Sequence, residues 1–360
     1  MKIRALKTID RLSGILAVNL LRPPSVNSID VNVDPSFLLI RPGGIGDAAH
    51  LIPTIQTIRG HYPDADIDIL AEKRNYAVFS LCPDVHNLYC YDSPRELLAA
   101  IRGGYDVVID TEQWHRLSAV VARLTRAPLL IGFGTNERRR LFTHSIPYSH
   151  DEYEVDSFFR LLAPLGIEPP SELTTPWLTI PQDAMRRAET LLGELQGERF
   201  AVIFPGASIP ERRWGAERFS AVAVDLFRSG TPVVVVGGKE DAKAGETIVK
   251  GVKGLNLAGR TSLVETAAVI SRSTLLISGD SGILHIGVGL GISTVSLFGP
   301  GIAAKWSPHG DVHKVLNRHL PCSPCTKFGY TPRCPYNVRC MEEISVDDVV
   351  SAVTSLLSRV

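Results

Sequence analysis

The sequence has no excess charge of either sign, no long apolar run and few cysteines, and each lack removes a class of protein. Lysine plus arginine and aspartate plus glutamate both number 38, so no net field draws the chain to nucleic acid or another polyanion. The apolar stretch after Arg11 is short, is interrupted by Asn19 and lacks a small-residue cleavage site, which argues against a secretory signal and against a membrane span. Six cysteines without an export signal disfavour a disulfide framework. No complete G-x-G-x-x-G occurs, which argues against a dinucleotide-dependent dehydrogenase.

What is present is an apolar fraction of 44%, enough for a sizeable core, and a length of 360 residues that favours two domains. Residues 1–24, MKIRALKTIDRLSGILAVNLLRPP, carry the one local charge asymmetry, with Lys2, Arg4, Lys7, Arg11 and Arg22 against Asp10. Ile3, Leu6, Ile9, Leu12, Leu16 and Leu20 recur there at helical spacing. Two readings stay open: a basic amphipathic helix lying on an anionic membrane, or a surface helix packed on the body of the protein.

Downstream, a buried strand at 37–40, a glycine turn, a helix over 47–59 and a strand at 67–70 make a βαβ unit. YDVVID at 105–110, a helical stretch around 113–126 and PLLIGFG continue the cadence. A proline-punctuated linker lies near 173–183, after which RFAVIFPGAS, TPVVVVGG and TLLISGDSG restart it, with helices near 216–229 and 241–250. The expected organisation is an N-terminal segment and connector (1–35), a first lobe (36–178) and a second lobe (179–360). The fold class is α/β, two Rossmann-like parallel-sheet lobes with a cleft between them. Ligands of such sheets bind beyond the carboxyl ends of the strands, where the glycine-rich turns fall.

Three turns carry candidate chemistry. In LLISGDSGILHIG the strand ends at a turn that opens a helix, so unpaired backbone N–H groups and the dipole face an incoming oxyanion across Gly282. Ser281 adds a hydroxyl donor and His285 an imidazole, and the next strand ends in the same way at Gly299 and Pro300. The bland alternative makes Asp280 a helix cap and His285 a buried core histidine. In RPGGIGDAAH, Gly43, Gly44 and Gly46 shape a similar turn, but Asp47 would repel a pyrophosphate, so it suits a base facing a neutral group or, blandly, a cap. In FPGASIPERRW, Gly206 and Ser208 form the turn and Arg212 and Arg213 offer cations to a leaving diphosphate, one of the two being free to face solvent.

The GGxGD turn, PGAS-x4-RW, GDSG-x2-H and LFGP occur in the order and spacing of glycosyltransferase family 9, the lipopolysaccharide heptosyltransferases. The tail CSPCTKFGYTPRCPYNVRCMEEISVDDVVSAV is similar to that of many members, and the resemblance runs from about residue 37 to 356. It implies a GT-B fold with the acceptor on the amino-terminal lobe and the sugar nucleotide on the carboxy-terminal one. It further implies metal-independent inverting transfer of heptose from ADP-heptose, with no cofactor, to the lipopolysaccharide inner core. By the same resemblance Asp47 is the general base, and Asp280, Ser281, Gly282 and His285 hold the nucleotide and diphosphate. Arg212 stands where better-known members often have lysine, and Glu240 matches an acidic position that binds ribose hydroxyls. A lipid-linked saccharide acceptor implies a cytoplasmic enzyme, peripheral on the inner face of the inner membrane.

Two further patterns are read as structural. Asp64, Asp66 and Asp68 have the D-x-D spacing of metal-dependent glycosyltransferases, but they lead into a strand far from the nucleotide lobe. Cys322, Cys325, Cys334 and Cys340 approach zinc-ligand spacing, and reduced thiols packed in a loop are the simpler reading. The competing functions are a nucleotide-sugar epimerase or isomerase on a GT-B-like scaffold and a non-catalytic nucleotide-sugar-binding protein.

Overall fold

A computed structural model describes residues 3–25, 34–195, 197–327 and 330–358. The side chains of Ile3, Leu6, Ile9 and Leu12, and those of Lys2, Arg4, Lys7 and Arg11, lie outside the described residues. The chain divides into two compact units, Met1–Leu173 and Thr174–Val360.

In the first unit, β1 (Ser36–Arg41), β2 (Asp66–Ala71), β3 (Leu88–Cys90), β4 (Val107–Asp110), β5 (Leu129–Phe133) and β6 (His144–Ile146) form one sheet in the order β3-β2-β1-β4-β5-β6. All neighbours are parallel. The β1 side chains from Phe37 to Arg41 are buried, which is why this strand reads as a continuous run rather than an alternation. β2 begins inside the DADID stretch, and Asp68 there accepts hydrogen bonds from the Tyr105 hydroxyl (2.9 Å) and the Asn87 amide (3.0 Å). That aspartate therefore serves the sheet.

In the second unit, β7 (Ala201–Phe204), β8 (Val233–Val235), β9 (Gly254–Asn256), β10 (Leu275–Gly279), β11 (Ser293–Phe298) and β12 (His313–Asn317) form another parallel sheet, in the order β12-β11-β10-β7-β8-β9. Read from its own first strand this is the same order as in the first unit, the doubly wound 3-2-1-4-5-6 arrangement. The end of the proline-punctuated stretch packs with this unit: the Trp177 and Leu178 amides both donate to the Gly289 carbonyl, at 2.9 and 3.1 Å.

The leading helix, Ile3–Leu20, is packed on the first unit. Its Asp10 is buried and accepts from the amides of Arg116 (2.7 Å) and Leu117 (2.8 Å), the first two residues of the Arg116–Leu124 helix. A carboxylate from far up the chain thus satisfies orphan N–H groups that His115, at the cap position, leaves open. Gly14 permits the close approach, since a Cβ there would lie 3.0 Å from that of Arg116.

Candidate active site

In a doubly wound sheet the crevice for ligands opens at the switch point, outside the carboxyl ends of the two strands from which the windings diverge. For the first unit these are β1 and β4, and for the second β7 and β10. The GGIGD turn follows β1, the PGAS turn follows β7 and the GDSG turn follows β10, so these three turns stand at switch points.

In the first unit Asp47 lies in the first turn of the Ile45–His61 helix, whose start leaves it a half-buried carboxylate near the positive end of the dipole. Among the described residues no hydrogen bond engages this carboxylate, so the capping reading does not account for it. Gly43 has φ +128° and faces the Arg41 guanidinium: a Cβ there would be 2.9 Å from Arg41 Nη2, so glycine is required twice over. Arg41 is fully buried, pairs with Glu112 at 3.1 Å and donates to the Thr111 carbonyl at 2.8 Å. Burial pulls its pKa down, and the surrounding charges of Glu112, Asp47, Glu154 and Asp110 more than offset that. Burial pushes the Glu112 carboxyl up, but Arg41, His115 and Arg138 together bring it to about 2. Glu154 accepts from Gln113 Nε2 (2.5 Å) and from the Tyr148 hydroxyl (3.0 Å), and burial followed by the charges of Glu154 and Asp47 raises the Tyr148 phenol. Asp47 therefore sits at the mouth of a buried, internally balanced network that the sequence did not announce. The available signal was the polar run Asp110–Gln113 directly after a buried strand, the same strand-end position as GGIGD.

In the second unit Arg212 Nη1 pairs with Asp280 Oδ2 at 2.9 Å, while Arg213 turns back and donates through Nε and Nη2 to the Ala207 carbonyl at 3.2 and 3.1 Å. The two adjacent arginines thus divide their work, one on the GDSG turn and one bracing the PGAS turn. Trp214 after them is a core anchor, with Nε1 donating to the Ile344 carbonyl at 2.9 Å. Ser281 caps the Gly282–Gly289 helix by accepting from the Leu284 amide at 3.3 Å and shares a 2.8 Å hydrogen bond with Ser278. Asp280 lies against Gly301, where a Cβ would come within 1.9 Å of its Oδ2. Gly299 is pressed on Met341 and Cys340, and the Pro300 carbonyl accepts from the amides of Cys325 (3.0 Å) and Thr326 (2.9 Å). Gly206 is close to Asp241, whose Oδ2 would be 2.5 Å from a Cβ there, and Ser208 is exposed.

Glu240 is exposed, whereas its neighbour Asp241 is buried and accepts from the Gly238 amide at 3.0 Å. Burial raises the Asp241 carboxyl. Of the two acids after VVVVGGK, the one turned in toward the PGAS turn is the one sequence reasoning passed over. The four late cysteines line a cavity of about 120 Å³ together with Glu211 and Pro300. All six cysteines are free thiols, and Cys334 Sγ accepts from the amides of Tyr336 and Val338 at 3.4 Å. Among the described residues no group of three or more His, Cys, Asp or Glu side chains is arranged to hold a metal ion. Their loop buttresses the LFGP turn through the Pro300 carbonyl.

His285 is buried at the end of the first turn of its helix, and burial, with the Arg212 charge beside it, pulls the imidazole from 6.5 down to about 3. It is a neutral group at physiological pH. Because the folded value lies below the unfolded one, the unfolded chain binds the proton first on acidification, so stability is lost as pH falls from about 6.5 toward 3. At pH 5 the expected loss from this residue is about 2 kcal/mol, at roughly 1.4 kcal/mol per pH unit. Urea unfolding at pH 7 and pH 5 should show that His285→Gln removes this part of the acid sensitivity; an equal drop in both proteins would contradict it.

The family model described as Glycosyltransferase family 9 (heptosyltransferase) matches residues 95–332. Over 347 residues the chain is 28% identical to lipopolysaccharide heptosyltransferase 3 of Escherichia coli (strain K12), covering 87% of this chain and 95% of that one. A solved glycosyltransferase family 9 structure from Veillonella parvula superposes with TM-score 0.78 at 23% identity, over 93% of this chain and 100% of the other. The E. coli ADP-heptose lps heptosyltransferase II gives 0.72 at 23% identity, over 90% and 99%. The fold is thus GT-B, two Rossmann-like parallel sheets with their helices.

Proposed function

The chain belongs to glycosyltransferase family 9, and from that premise we propose that this glycosyltransferase moves heptose from ADP-heptose to the inner core of a lipid-linked lipopolysaccharide acceptor. Its relatives carry the names of heptosyltransferases, and ADP-heptose is in the name of a structural neighbour. The observation that carries the reading is the pair of switch points: a carboxylate without a hydrogen bond among the described residues, Asp47, at one, and the Arg212–Asp280 pair beside a helix N-terminus at the other.

In the reaction, Asp47 accepts the proton of the acceptor hydroxyl as that oxygen bonds to the anomeric carbon from the face opposite the diphosphate. The bond from the anomeric carbon to the diphosphate oxygen breaks, and its electron pair leaves with ADP. Arg212, the helix N-terminus at Gly282 and the neutral His285 stabilise the charge that develops there. Arg212 does so as a planar fork, a different donor geometry from the lysine frequent at this position. The diphosphate competes with Asp280 for Arg212, so donor binding and release of that pair are one event. Glu240, exposed beside the buried Asp241, is the acid we assign to the ribose hydroxyls. In this scheme the side chains supply the charge stabilisation, and no metal ion is called for.

The lipid anchor of the acceptor places the work at the inner face of the inner membrane, with the leading helix as the contact. Among the described residues no helix is long and apolar enough to cross a bilayer. Purified protein given ADP-heptose and heptose-deficient lipopolysaccharide is expected to release ADP and extend the acceptor by one heptose, both read by mass spectrometry. An isomerised sugar nucleotide formed without acceptor would identify an epimerase, and the absence of turnover across a panel of nucleotide sugars would leave only a binding protein.

A further inference from the structure

Among the described residues, the leading helix packs through one face and leaves the other exposed. Asp10, Gly14 and Val18 point into the first unit, while Leu16 and Leu20, one turn apart on the opposite side, are 65% and 83% exposed. Isolated surface leucines need no explanation, but these two are set among arginines from three separate segments. Arg140, from the Glu137–Leu141 turn, donates to Asn19 between them. Arg123, from the Arg116–Leu124 helix, donates through Nε to the Arg22 carbonyl at 2.9 Å. Arg139 is exposed beside Arg140.

Of the described carboxylates, Asp10 is engaged by the Arg116 and Leu117 amides and by His115, and Glu137 by Arg116 at 2.6 Å. Among the described residues Arg22, Arg123 and Arg140 form no ion pair with a carboxylate, and Arg139 meets Glu137, already held by Arg116, only through its charge. The chain as a whole is neutral, so this excess is local.

We infer that these three segments form one composite surface that docks on an anionic lipid bilayer, with Leu16 and Leu20 entering the headgroup layer and the arginines meeting lipid phosphates. The occupant is committed by charge complementarity together with the flanking of exposed leucines by cations, the pairing that an interfacial helix uses. The inference deepens the membrane contact proposed above and rests on that reading. It differs in requiring arginines that lie more than a hundred residues beyond the leading helix and are brought to it only by the fold.

The test is sedimentation with phosphatidylcholine vesicles with and without phosphatidylglycerol, at low and high salt. Wild type is expected on the anionic vesicles only, and to leave them at high salt. Arg139→Glu/Arg140→Glu should weaken that binding about 25-fold or more, taking roughly fivefold per arginine near the surface. Arg139→Glu alone removes a side chain that makes no hydrogen bond among the described residues and meets Glu137 only through its charge, and should still cost about fivefold. Leu16→Gln/Leu20→Gln should weaken binding while keeping its salt dependence. Wild-type affinity in the arginine variants overturns the composite surface, and if the leucine variant alone loses binding, the contact belongs to the leading helix only. Binding of wild type to both vesicle types equally overturns the anionic occupant. ADP release with a delipidated acceptor reads the transferase proposal separately: it should be unchanged in every variant, and its absence in wild type would count against the activity without bearing on docking.

Discussion

Asp47→Asn is expected to lower kcat by about 100- to 10,000-fold, the usual contribution of a positioned general base, while ADP binds with nearly unchanged affinity. The carboxamide has the shape of the carboxylate and lacks its capacity to take a proton from the attacking hydroxyl. The fold should not notice the change, because no hydrogen bond among the described residues depends on that carboxylate and Gly44, not Asp47, holds the cap position. The Arg41 cation beside it remains balanced by Glu112 and Glu154. Steady-state kinetics for transfer and calorimetry for ADP separate the two effects. Turnover within tenfold of wild type would mean that the proton goes elsewhere, and a parallel loss of ADP binding would mean that the variant is damaged beyond the site.

Arg138→Met is expected to destabilise the first unit by about 3–5 kcal/mol, the cost of leaving one member of a buried ion pair unmatched. Arg138 has no exposed surface; it pairs with Asp110, donates to the Glu112 carbonyl and lies 5.4 Å over the Phe142 ring. Burial already raises the Asp110 carboxyl, with Arg138 opposing. Without the guanidinium, Asp110 must either stay charged in a dry site or take a proton, so the loss should grow as pH rises above the ordinary carboxylate value of 3.8. Arg138→Met/Asp110→Asn should recover most of it, because the uncompensated charge is then gone. Urea unfolding followed by amide exchange in β4 reports on this unit, and a single variant less than 1 kcal/mol weaker than wild type would contradict the expectation.

Because Asp110 ends the strand that Glu112 and Gln113 directly follow, this loss should reach the site as well. The same strand end that stabilises the unit also sets the charge balance around Asp47. Catalytic and structural polar groups here share one network, which is why the double variant is the informative one: it restores stability without restoring the original charges.

The alternation of buried runs with helical stretches was enough to expect two parallel sheets, since a strand covered on both faces reads as a mostly apolar run, and β1, β10 and β11 are buried along nearly their whole length. The turns GGIGD, PGAS, GDSG and LFGP were legible for a related reason. A glycine next to a strand end, followed by a helix start, fixes its own backbone within a few residues, whatever the rest of the chain does. The sequence could not tell which of Arg212 and Arg213 faces the nucleotide turn, or whether Glu240 or Asp241 is the inward acid. Those choices depend on β7 lying beside β10 and β8, not on the local run.

By itself, then, the sequence determined the strands, the glycine turns and the residue types offered at them, because each arises from interactions among near neighbours. Only the tertiary structure decided that Asp10 would close the Arg116–Leu124 helix, that Arg41, Glu112 and Glu154 would balance one another beneath Asp47, and that Arg140 would reach Asn19. Such pairings join residues as much as 121 positions apart. A buried charge is tolerated only where a partner arrives to meet it, and that arrival is set by strand order and packing, which no short stretch of chain encodes.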